Sequence, residues 1–193
     1  MFVLKKLILG LNFVFTPINT TLVVLIFSIR VILFGFKNAN KMLEGVSQPC
    51  IIPILRIFGA KIGKNCDIGT GLVVHNAKSY KNLIVGDNCH IGKNCFLDLR
   101  GKIEIKNNVV ISMKCTFITH IDMTKSKLKE LYPSKTEDVS IEDNVYLGVD
   151  VCVLKGITIG EGTMVAAKSL VKNSIEPNTL CAGVPAKTIK SLG

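Results

Sequence analysis

Histidine is the side chain that exchanges a proton most readily near neutral pH, and the 193-residue sequence contains three: His75, His90 and His120. His120 directly precedes a long segment that interrupts a regular repeat, which resumes at Ser140. Such an interruption has to project as a loop, and long loops in compact folds are usually functional. His120, at the root of this loop 120–139, is therefore the first candidate for a residue that performs chemistry.

The elements that position this loop are specified by a six-residue repeat. Aliphatic or aromatic residues recur at this spacing, and the residue four positions after each of them is mostly small or β-branched. Two inward positions separated by a turn describe one short strand and one corner, and a fixed period decides the fold class. Three such strands form a triangular coil, and stacked coils form a parallel β-helix. The recurring positions are Ile62 and Ile68; Val85, Ile91 and Leu97; Ile105, Ile111 and Phe117; and Ile141, Leu147, Val153, Ile159, Val165 and Val171.

Each corner of such a coil is expected to need a residue in the left-handed backbone region, which Gly, Asn and Asp enter most easily. Three residues after the aliphatic position, most hexamers carry one of these types, with Lys114 and Lys168 as exceptions. His120 takes this corner position in the hexamer that starts at Phe117. The positions that fit are Asn65, Gly71, Asn88, Asn94, Asn108, Asn144, Asp150, Gly156 and Gly162.

The cysteines are explained by the same repeat. The chain has seven of them, and an odd number without a cleavable export signal argues for a reducing compartment and against a disulfide framework. Four stand at the small inward position of a hexamer, where a thiol behaves as a small hydrophobe. These four, which we predict to be packing residues, are Cys66, Cys89, Cys95 and Cys115.

The N-terminal residues 1–36 are rich in Leu, Ile, Val and Phe and almost uncharged. Pro17 and the cluster Asn19–Thr21 divide them into Phe2–Phe15 and Leu22–Phe36, each shorter than the roughly 20 residues that span a bilayer. We predict two helical arms that dip into or lie on one leaflet, with flanking lysines near anionic headgroups. The alternative is that the arms pack on a neighbouring subunit or on the chain's own core.

Proline residues mark the end of the apolar segment. Ser47–Pro49 and Pro53 break the pattern. The predicted organisation is therefore a membrane-associating helical segment at residues 1–49, a β-helix at 50–180, and a C-terminal tail at 181–193.

The hexamers Ile-Gly-Lys-Asn-Cys, Leu-Gly-Val-Asp-Val and Ile-Gly-Glu-Gly-Thr, with the closing sequence Ala182–Lys187, resemble the left-handed β-helix (hexapeptide-repeat) acyltransferases. The most similar branch is the maltose, galactoside and surface-polysaccharide O-acetyltransferases. The resemblance covers about residues 62–192 and implies the fold class: an all-β, left-handed parallel β-helix behind an apolar helical segment. It also implies a homotrimer with active sites between subunits, and acetyl transfer from acetyl-CoA to a saccharide hydroxyl.

The resemblance also assigns roles to individual residues. A histidine before such a loop is the general base of this family, which implies that role for His120. Asp98 is implied to contact the acceptor or to support the histidine from an adjacent subunit, and the alternative is an exposed corner residue. For acetyl-CoA, the resemblance implies backbone N–H groups near the thioester, positions lining the pantetheine and nucleotide, and basic residues after the Gly-x-Pro turn. These are Gly148 and Val149, Ala167 and Lys172, and Lys187 and Lys190, respectively. The alternative for the lysines is a solvated basic face.

Other readings of the histidines stay open. His75 resembles a histidine of the serine acetyltransferases, although that branch's helical N-terminal domain is not apparent here. His90 is expected to point outward from a flat face. A zinc site of the carbonic anhydrase-like β-helix proteins is disfavoured, because the histidines are 15 and 30 residues apart. A non-catalytic, membrane-tethered scaffold would make His120 incidental.

The function that we predict is an acetyl-CoA-dependent O-acetyltransferase of surface polysaccharide biosynthesis, such as capsule, O-antigen or exopolysaccharide synthesis. The expected location is the cytoplasmic face of the inner membrane, where a lipid-linked sugar is a suitable acceptor. We expect no metal and no nucleic-acid partner. The formal net charge of +10 agrees with anionic headgroups and a phosphorylated co-substrate as partners.

Overall fold

The computed structural model describes residues 19–193, so the first predicted arm, Phe2–Phe15, lies outside the described residues. Helical elements come first in the described part, and short strands follow. The helical elements are α1 (residues 19–34), α2 (Phe36–Asn40), a 3-10 segment (Lys41–Gly45) and α3 (Gln48–Ile57).

The strands form a parallel β-helix with three faces, as the repeat predicts. Face A consists of β1 (Lys61–Ile62), β4 (Leu83–Val85), β7 (Ile103–Ile105), β12 (Val139–Ile141) and β15 (Thr158–Ile159). Face B consists of β2 (Asp67–Ile68), β5 (His90–Ile91), β8 (Val110–Ile111), β13 (Tyr146–Leu147), β16 (Met164–Val165), β18 (Thr179–Gly183) and the antiparallel β19 (Ala186–Ser191). Face C consists of β3 (Val73–His75), β6 (Phe96–Asp98), β9 (Thr116–Phe117), β14 (Cys152–Val153) and β17 (Leu170–Val171).

The corner prediction is confirmed at every position where it was made from Gly, Asn or Asp, because all of these residues have a positive φ. The exceptions follow the same rule: Lys114 has a φ of 63° and Lys168 a φ of 60°. The coil geometry therefore imposes the left-handed conformation even on lysine. For His120 the prediction of a corner is wrong, because His120 lies in β10 (His120–Ile121), which leaves the coil and pairs antiparallel with β11 (Lys135–Thr136).

The interior of the coils is the aliphatic core that the repeat specifies. In register, Leu97 lies beside Phe117 and Phe117 beside Val153, and all three side chains are fully buried. Cys89, Cys95 and Cys115 are buried free thiols, as predicted, while Cys66 in the first coil is half-buried. Burial raises the pKa of the Cys89 thiol, which agrees with a packing role.

The N-terminal helices cover the first coil. Phe27 of α1 is fully buried and packs on Phe36 and Phe58, with ring centroids 6.4 and 4.9 Å away. One side of α1 therefore packs on the chain's own core, which was one of the alternatives for this segment. The opposite side exposes a row of large apolar side chains: Leu22, Leu25, Ile26, Ile29, Ile32, Leu33 and Phe34. Within residues 19–193, no helix has both the length and the hydropathy needed to cross a bilayer.

The predicted break at Pro53 does not occur, because α3 runs through it. Pro49 occupies the first turn of α3, where a backbone N–H has no helical partner, and Pro53 removes only one further donor. Four buried side chains of α3 compensate by closing the end of the solenoid core: Cys50, Ile51, Ile54 and Leu55. The boundary at Pro49 accordingly coincides with the start of a helix that belongs to the β-helix core.

Candidate active site

The structure places His120 against Asp98, the two residues that sequence reasoning selected for chemistry. His120 Nδ1 lies 2.5 Å from Asp98 Oδ2. The Asp98 side chain is fully buried, whereas 18% of the His120 side chain is exposed. The pair therefore consists of a histidine that solvent or a substrate can reach and a carboxylate enclosed behind it.

Asp98 is held ionised by the groups around it. Burial alone would raise its pKa, but the hydrogen bonds from His120, from the backbone N–H and hydroxyl of Thr119 and from the Asn76 amide outweigh burial and lower the pKa to about 2. The Thr119 N–H and hydroxyl lie 2.9 and 2.8 Å from Oδ2, and Asn76 Nδ2 lies 3.1 Å from Oδ1. An ionised carboxylate can only accept hydrogen bonds, so in the bond between the two residues His120 is the donor and Asp98 the acceptor.

The arrangement makes Nε2 of His120 the free basic nitrogen. Because Asp98 accepts, Nδ1 of His120 must donate, and the neutral imidazole then carries its lone pair on Nε2. Once Nε2 has taken a proton, the adjacent carboxylate stabilises the imidazolium that results. The pair is suited to remove a proton from a hydroxyl and to return it to a leaving group.

Asp98 supports His120 of its own chain, whereas the sequence analysis expected this support across subunits. The alternative of an exposed corner residue is wrong, because Asp98 is buried. Contact of Asp98 with the acceptor stays a prediction. Alternation along β6 turns Leu97 inward and Asp98 outward. Asp98 is nevertheless buried, because Thr119, His120 and Asn76 cover it from outside the solenoid.

The loop after His120 is anchored close to this pair. Asp122 accepts hydrogen bonds from the side chains of Arg100, Thr124 and Ser134, at 3.1, 2.8 and 3.1 Å. The hairpin of β10 and β11 closes the loop, since His120 pairs with Thr136. These contacts fix the orientation of the strand that carries His120.

Sequence reasoning missed three residues of this site: Asn76, Thr119 and Arg100. Thr119 directly precedes His120 in the sequence, and Arg100 follows Asp98 by two residues. Proximity in sequence does not by itself predict a contact between side chains. Asn76 has a positive φ of 56° one residue before the position at which the hexamer period would place a corner. An asparagine at that position, directly after His75, is the one signal that could have indicated a turn there.

The residues that the resemblance implies for binding acetyl-CoA lie mainly on a different edge of the three-sided β-helix from His120. Gly148, Val149 and Ala167 follow strands of face B and form the edge between faces B and C. They stack directly: a Cβ on Gly148 would lie 2.5 Å from the Ala167 backbone nitrogen, and Lys168 N donates to Val149 O at 2.8 Å. Glycine at 148 therefore allows two coils to approach closely.

The two implied backbone donors are not equivalent. The Gly148 N–H donates to Val165 O at 2.8 Å within the ladder, so it is not available to a ligand. Among the described residues, the Val149 N–H donates to no acceptor, and the residue is 37% exposed. Val149 is thus the residue of this pair that can donate to a thioester oxygen.

The implied basic residues are distributed over the surface. Lys187 and Lys190 lie on β19, opposite Ala182 and Leu180 of β18, and both are exposed. Lys172 follows β17 of face C and lies on the edge between faces C and A, the edge that carries His120. The structure therefore does not gather the three lysines at one place within a single chain.

The other two histidines occupy separate positions. His90 is exposed on face B, as predicted, and its Nδ1 lies 2.7 Å from Asp67 Oδ2. His75 is exposed on β3, in register with Asp98 of β6, and its ring packs 5.7 Å from that of Phe96. Within residues 19–193, no group of three His, Cys, Asp or Glu side chains is arranged to hold a metal ion.

The low pKa of Asp98 predicts a specific loss of stability in acid. The unfolded-state value is 3.8 and the folded-state value about 2, so the ionised form stabilises the fold above pH 3.8 and this contribution, about 2 kcal/mol, is lost as the pH falls towards 2. Denaturant unfolding should therefore show a steeper decline over this range for the wild type than for Asp98→Asn. Equal slopes would contradict an ionised, hydrogen-bonded Asp98.

Comparison with known proteins agrees with the fold and with the repeat. The family model for the hexapeptide repeat of succinyl-transferase matches residues 50–76, 82–113 and 138–167. The chain is 34% identical over 138 residues to the putative colanic acid biosynthesis acetyltransferase WcaF of Escherichia coli, covering 71% of this chain and 72% of that protein. It is 29% identical over 113 residues to the galactoside O-acetyltransferase of Escherichia coli, covering 55% and 56% of the two chains.

Solved structures show the same architecture. A maltose O-acetyltransferase from Clostridium difficile superposes with a TM-score of 0.69 at 27% identity, over 80% of this chain and 82% of that one. A hexapeptide-repeat acetyltransferase of Vibrio cholerae, complexed with acetyl coenzyme A, superposes with a TM-score of 0.71 at 23% identity, over 80% and 83% of the two chains. The chain belongs to the hexapeptide-repeat acyltransferase family and has its left-handed parallel β-helix. It is an acetyltransferase.

Proposed function

We propose that this acetyltransferase moves an acetyl group from acetyl-CoA to a hydroxyl of a saccharide, with His120 as the general base. The observation that carries the proposal is the contact of 2.5 Å between His120 Nδ1 and the buried, ionised Asp98. A sugar hydroxyl is too weakly acidic to attack a thioester rapidly at neutral pH without such a base. The chain shares 34% sequence identity with WcaF, a protein described as a putative acetyltransferase of colanic acid biosynthesis. This similarity supports a role in surface polysaccharide synthesis.

The proposed reaction needs one proton transfer in each direction. Nε2 of His120 takes the proton of the hydroxyl as its oxygen attacks the thioester carbonyl carbon. The carbon–sulfur bond then breaks, and the same proton passes from Nε2 to the departing thiolate, which leaves an acetyl ester and coenzyme A. Charge that develops on the carbonyl oxygen needs a preorganised donor, and the Val149 N–H is the backbone group that is free for this role.

The position of the donor residues supports a homotrimer with active sites between subunits. Val149 and Ala167 lie on the edge between faces B and C, whereas His120 lies on the edge between faces C and A. A second copy has to present its own Val149 edge to His120 if both groups are to reach one thioester. Cyclic assembly of three chains provides this contact at every subunit boundary.

Mixing two inactive variants tests this arrangement. His120→Ala lacks the base, and Ala167→Trp fills the exposed corner at which the pantetheine arm is proposed to lie. If sites form between chains, unfolding and refolding a one-to-one mixture should restore roughly a quarter of the wild-type activity, because that share of boundaries combines intact residues from both chains. Activity that stays at the level of the separate variants would show that each site lies within one chain.

We further propose that α1 binds the cytoplasmic face of the inner membrane. Its outward side exposes Ile32, Leu33 and Phe34, and these residues are 81%, 65% and 62% accessible. Arg30, Lys37 and Lys41 flank this surface and suit anionic headgroups. All seven cysteines of the chain are free thiols, as a reducing compartment requires.

Replacing Ile32, Leu33 and Phe34 by serine tests the membrane contact. Each side chain contributes about 1.5–3 kcal/mol when it leaves water, so partition of the full chain onto anionic vesicles should fall at least about tenfold. The matched control replaces Leu131 and Tyr132, which are equally exposed in the loop after His120, and should partition as the wild type does. Unchanged flotation of the α1 variant would contradict the proposal.

The transfer itself is tested with the purified full chain, radiolabelled acetyl-CoA and a panel of saccharides. The panel contains galactosides and maltose, the sugars named for related enzymes, together with an amino sugar and a sugar phosphate. We expect an alkali-labile ester on the sugar, which identifies an oxygen as the acceptor. Label transferred to an amino sugar as an alkali-stable amide would contradict O-acetylation. Absence of transfer to every saccharide, with coenzyme A still bound, would contradict a saccharide acceptor.

A further inference from the structure

Two adjoining cavities lie on the His120 edge of the solenoid, close to the N-terminal helices. The first has a volume of about 520 Å³ and lies between the segment that includes α2 and the end of β3. The second, about 260 Å³, lies between the segment 76–82 and Leu99–Arg100. Both are lined by Asn76 and Lys78, so they adjoin along one groove.

The lining of this groove is strongly cationic. Lys37, Lys41 and Lys78 line the first cavity, and Lys78, Lys81 and Arg100 line the second; we call the two together the cationic groove. Glu44 is the one carboxylate among the residues that line it.

The lysines of the cationic groove are not neutralised by the protein. Within residues 19–193, none of Lys37, Lys41, Lys78 and Lys81 forms an ion pair, and Arg100 alone contacts a carboxylate, that of Asp122. Other lysines of the solenoid do have partners: Lys102 and Lys106 lie against Glu104, and Lys168 lies 2.8 Å from Asp150. Unpaired cations that converge on a cavity attract an anion with several oxygen atoms.

The walls of the groove are fixed by buried contacts. The Tyr80 hydroxyl donates to Asn40 Oδ1 at 2.9 Å, and Asn40 Nδ2 donates to Val74 O at 2.6 Å. The Phe36 and Tyr80 rings pack edge to face, 4.9 Å apart. These contacts hold α2, which carries Lys37, against the segment that carries Lys78 and Lys81, so the site is preformed.

The cationic groove leads directly to the catalytic pair. Asn76, which lines both cavities, donates to Asp98, and Asp98 holds His120. His75 is in register with Asp98, and Leu97 with Phe117, so the groove begins two coils from the coil that carries His120. At the usual strand spacing, two coils correspond to about 10 Å, a distance that one or two sugar rings bridge.

On its other side the groove meets an apolar cavity. This third cavity, of about 460 Å³, is lined by Val23, Met42 and Val46 and shares Lys41 with the cationic groove. Val23 belongs to α1, the helix whose outer side is exposed and apolar. Apolar surface, cations and the His120–Asp98 pair therefore follow one another along one edge of the molecule.

We propose that the cationic groove binds the phosphate or diphosphate group of a glycosyl phosphate acceptor, so that the attached sugar reaches His120. This assignment rests on the proposed O-acetyltransferase function and adds the class of acceptor: a saccharide that is still esterified to phosphate. The sequence of surfaces along the edge fits a molecule that has an apolar end, a charged phosphate and a sugar, in that order.

Binding of inorganic diphosphate to the full chain tests the groove independently of activity. The variant Lys41→Gln, Lys78→Gln, Lys81→Gln removes three unpaired charges of the groove and should weaken binding at least about tenfold in calorimetry. The matched control, Lys61→Gln, Lys64→Gln, Lys93→Gln, removes three exposed lysines away from the groove and should bind diphosphate as the wild type does. Equal weakening in both variants would reveal general charge attraction and overturn the proposal.

Vesicles distinguish a membrane-bound from a soluble acceptor. Phosphatidylcholine vesicles with and without a polyprenyl phosphate are compared for the wild type and the groove variant. Extra binding to the polyprenyl phosphate that the groove variant loses supports a lipid-linked acceptor, whereas loss of diphosphate binding alone supports a soluble glycosyl diphosphate. If the groove variant retains both the binding of diphosphate and the extra binding to polyprenyl phosphate vesicles, the proposal is wrong.

Two further outcomes separate this inference from the proposed function. If the groove variant loses coenzyme A binding in parallel with diphosphate binding, the groove belongs to the donor site and the assignment to the acceptor is overturned. If the wild type transfers acetyl to no saccharide while diphosphate binding depends on the groove lysines, the proposed function fails and the phosphate site remains supported.

Discussion

Replacing His120 by alanine is expected to lower kcat for acetyl transfer by about 10²–10⁴-fold, the usual contribution of a positioned general base. The imidazole can act as the base because Asp98 accepts the hydrogen bond from Nδ1, so that in the neutral ring the lone pair is on Nε2. KM for acetyl-CoA should change little, since Gly148, Val149 and Ala167 lie on another edge of the β-helix and the substitution does not alter them. Steady-state kinetics with acetyl-CoA and a saccharide measures both parameters.

His90 provides a matched control for this substitution. It also lies 2.7 Å from an aspartate, Asp67, but both side chains are about half exposed on face B, away from His120. His90→Ala should retain the wild-type kcat. A His120→Ala enzyme that keeps its turnover, or a loss of equal size in both variants, would contradict the role of His120 as the base.

Asp98→Asn is expected to reduce kcat by roughly 10²–10⁴-fold while leaving His120 in place. The substitution removes the charge that stabilises the imidazolium. It also replaces an accepting oxygen by an amino group that donates. Both oxygens of Asp98 accept hydrogen bonds, Oδ2 from Thr119 and His120 and Oδ1 from Asn76. Where the amino group faces His120, the ring has to reverse its tautomer, and Nε2 then carries the proton that it should accept.

The tautomer distinguishes a positioning role of Asp98 from a merely structural one. Nitrogen NMR of the histidine rings should place the proton on Nδ1 of His120 in the wild type and shift it in Asp98→Asn. Asp67→Asn, which alters the exposed pair on face B, should leave both the His120 signal and kcat unchanged. Loss of activity in Asp98→Asn with an unaltered tautomer and an unaltered KM would indicate that the charge alone is responsible, and full activity would contradict the account.

The repeat made the solenoid predictable because its signal is redundant. The same spacing recurs in every coil, and the corner residues select a left-handed backbone independently of the inward positions. Lys114 and Lys168 do not fit by residue type, yet they adopt the corner conformation. Their neighbours in the stacked coils fix the backbone, so the prediction survives individual exceptions.

The active-site pair was predictable as residues but not as a contact. His120 and Asp98 were selected by resemblance, and the hexamer period placed both on the surface of the coil. The burial of Asp98 depends on Asn76, Thr119 and His120 closing over it. Together with Asp98, these residues come from three successive coils. Their approach depends on where each coil leaves its regular path, and the six-residue period does not predict those positions.

The sequence also does not predict how the N-terminal helices pack. The apolar composition predicts that α1 leaves water, but every side of it is apolar, so the sequence does not distinguish a core-facing side from a membrane-facing one. Phe27 meets Phe36 and Phe58, and this cluster determines which side faces inward. The cationic groove follows from that packing, since it exists only where α2 is held beside the segment 76–82.

The most direct test of the central claim is mass spectrometry of the surface glycan from a strain that lacks this protein, complemented with the wild type or with His120→Ala. We predict that the glycan loses an O-acetyl group in the deletion strain. Wild-type protein should restore that group, and His120→Ala, expressed at the same level, should not. A glycan with unchanged acetylation in the deletion strain, or one that His120→Ala restores fully, would contradict an O-acetyltransferase that uses His120 as its base.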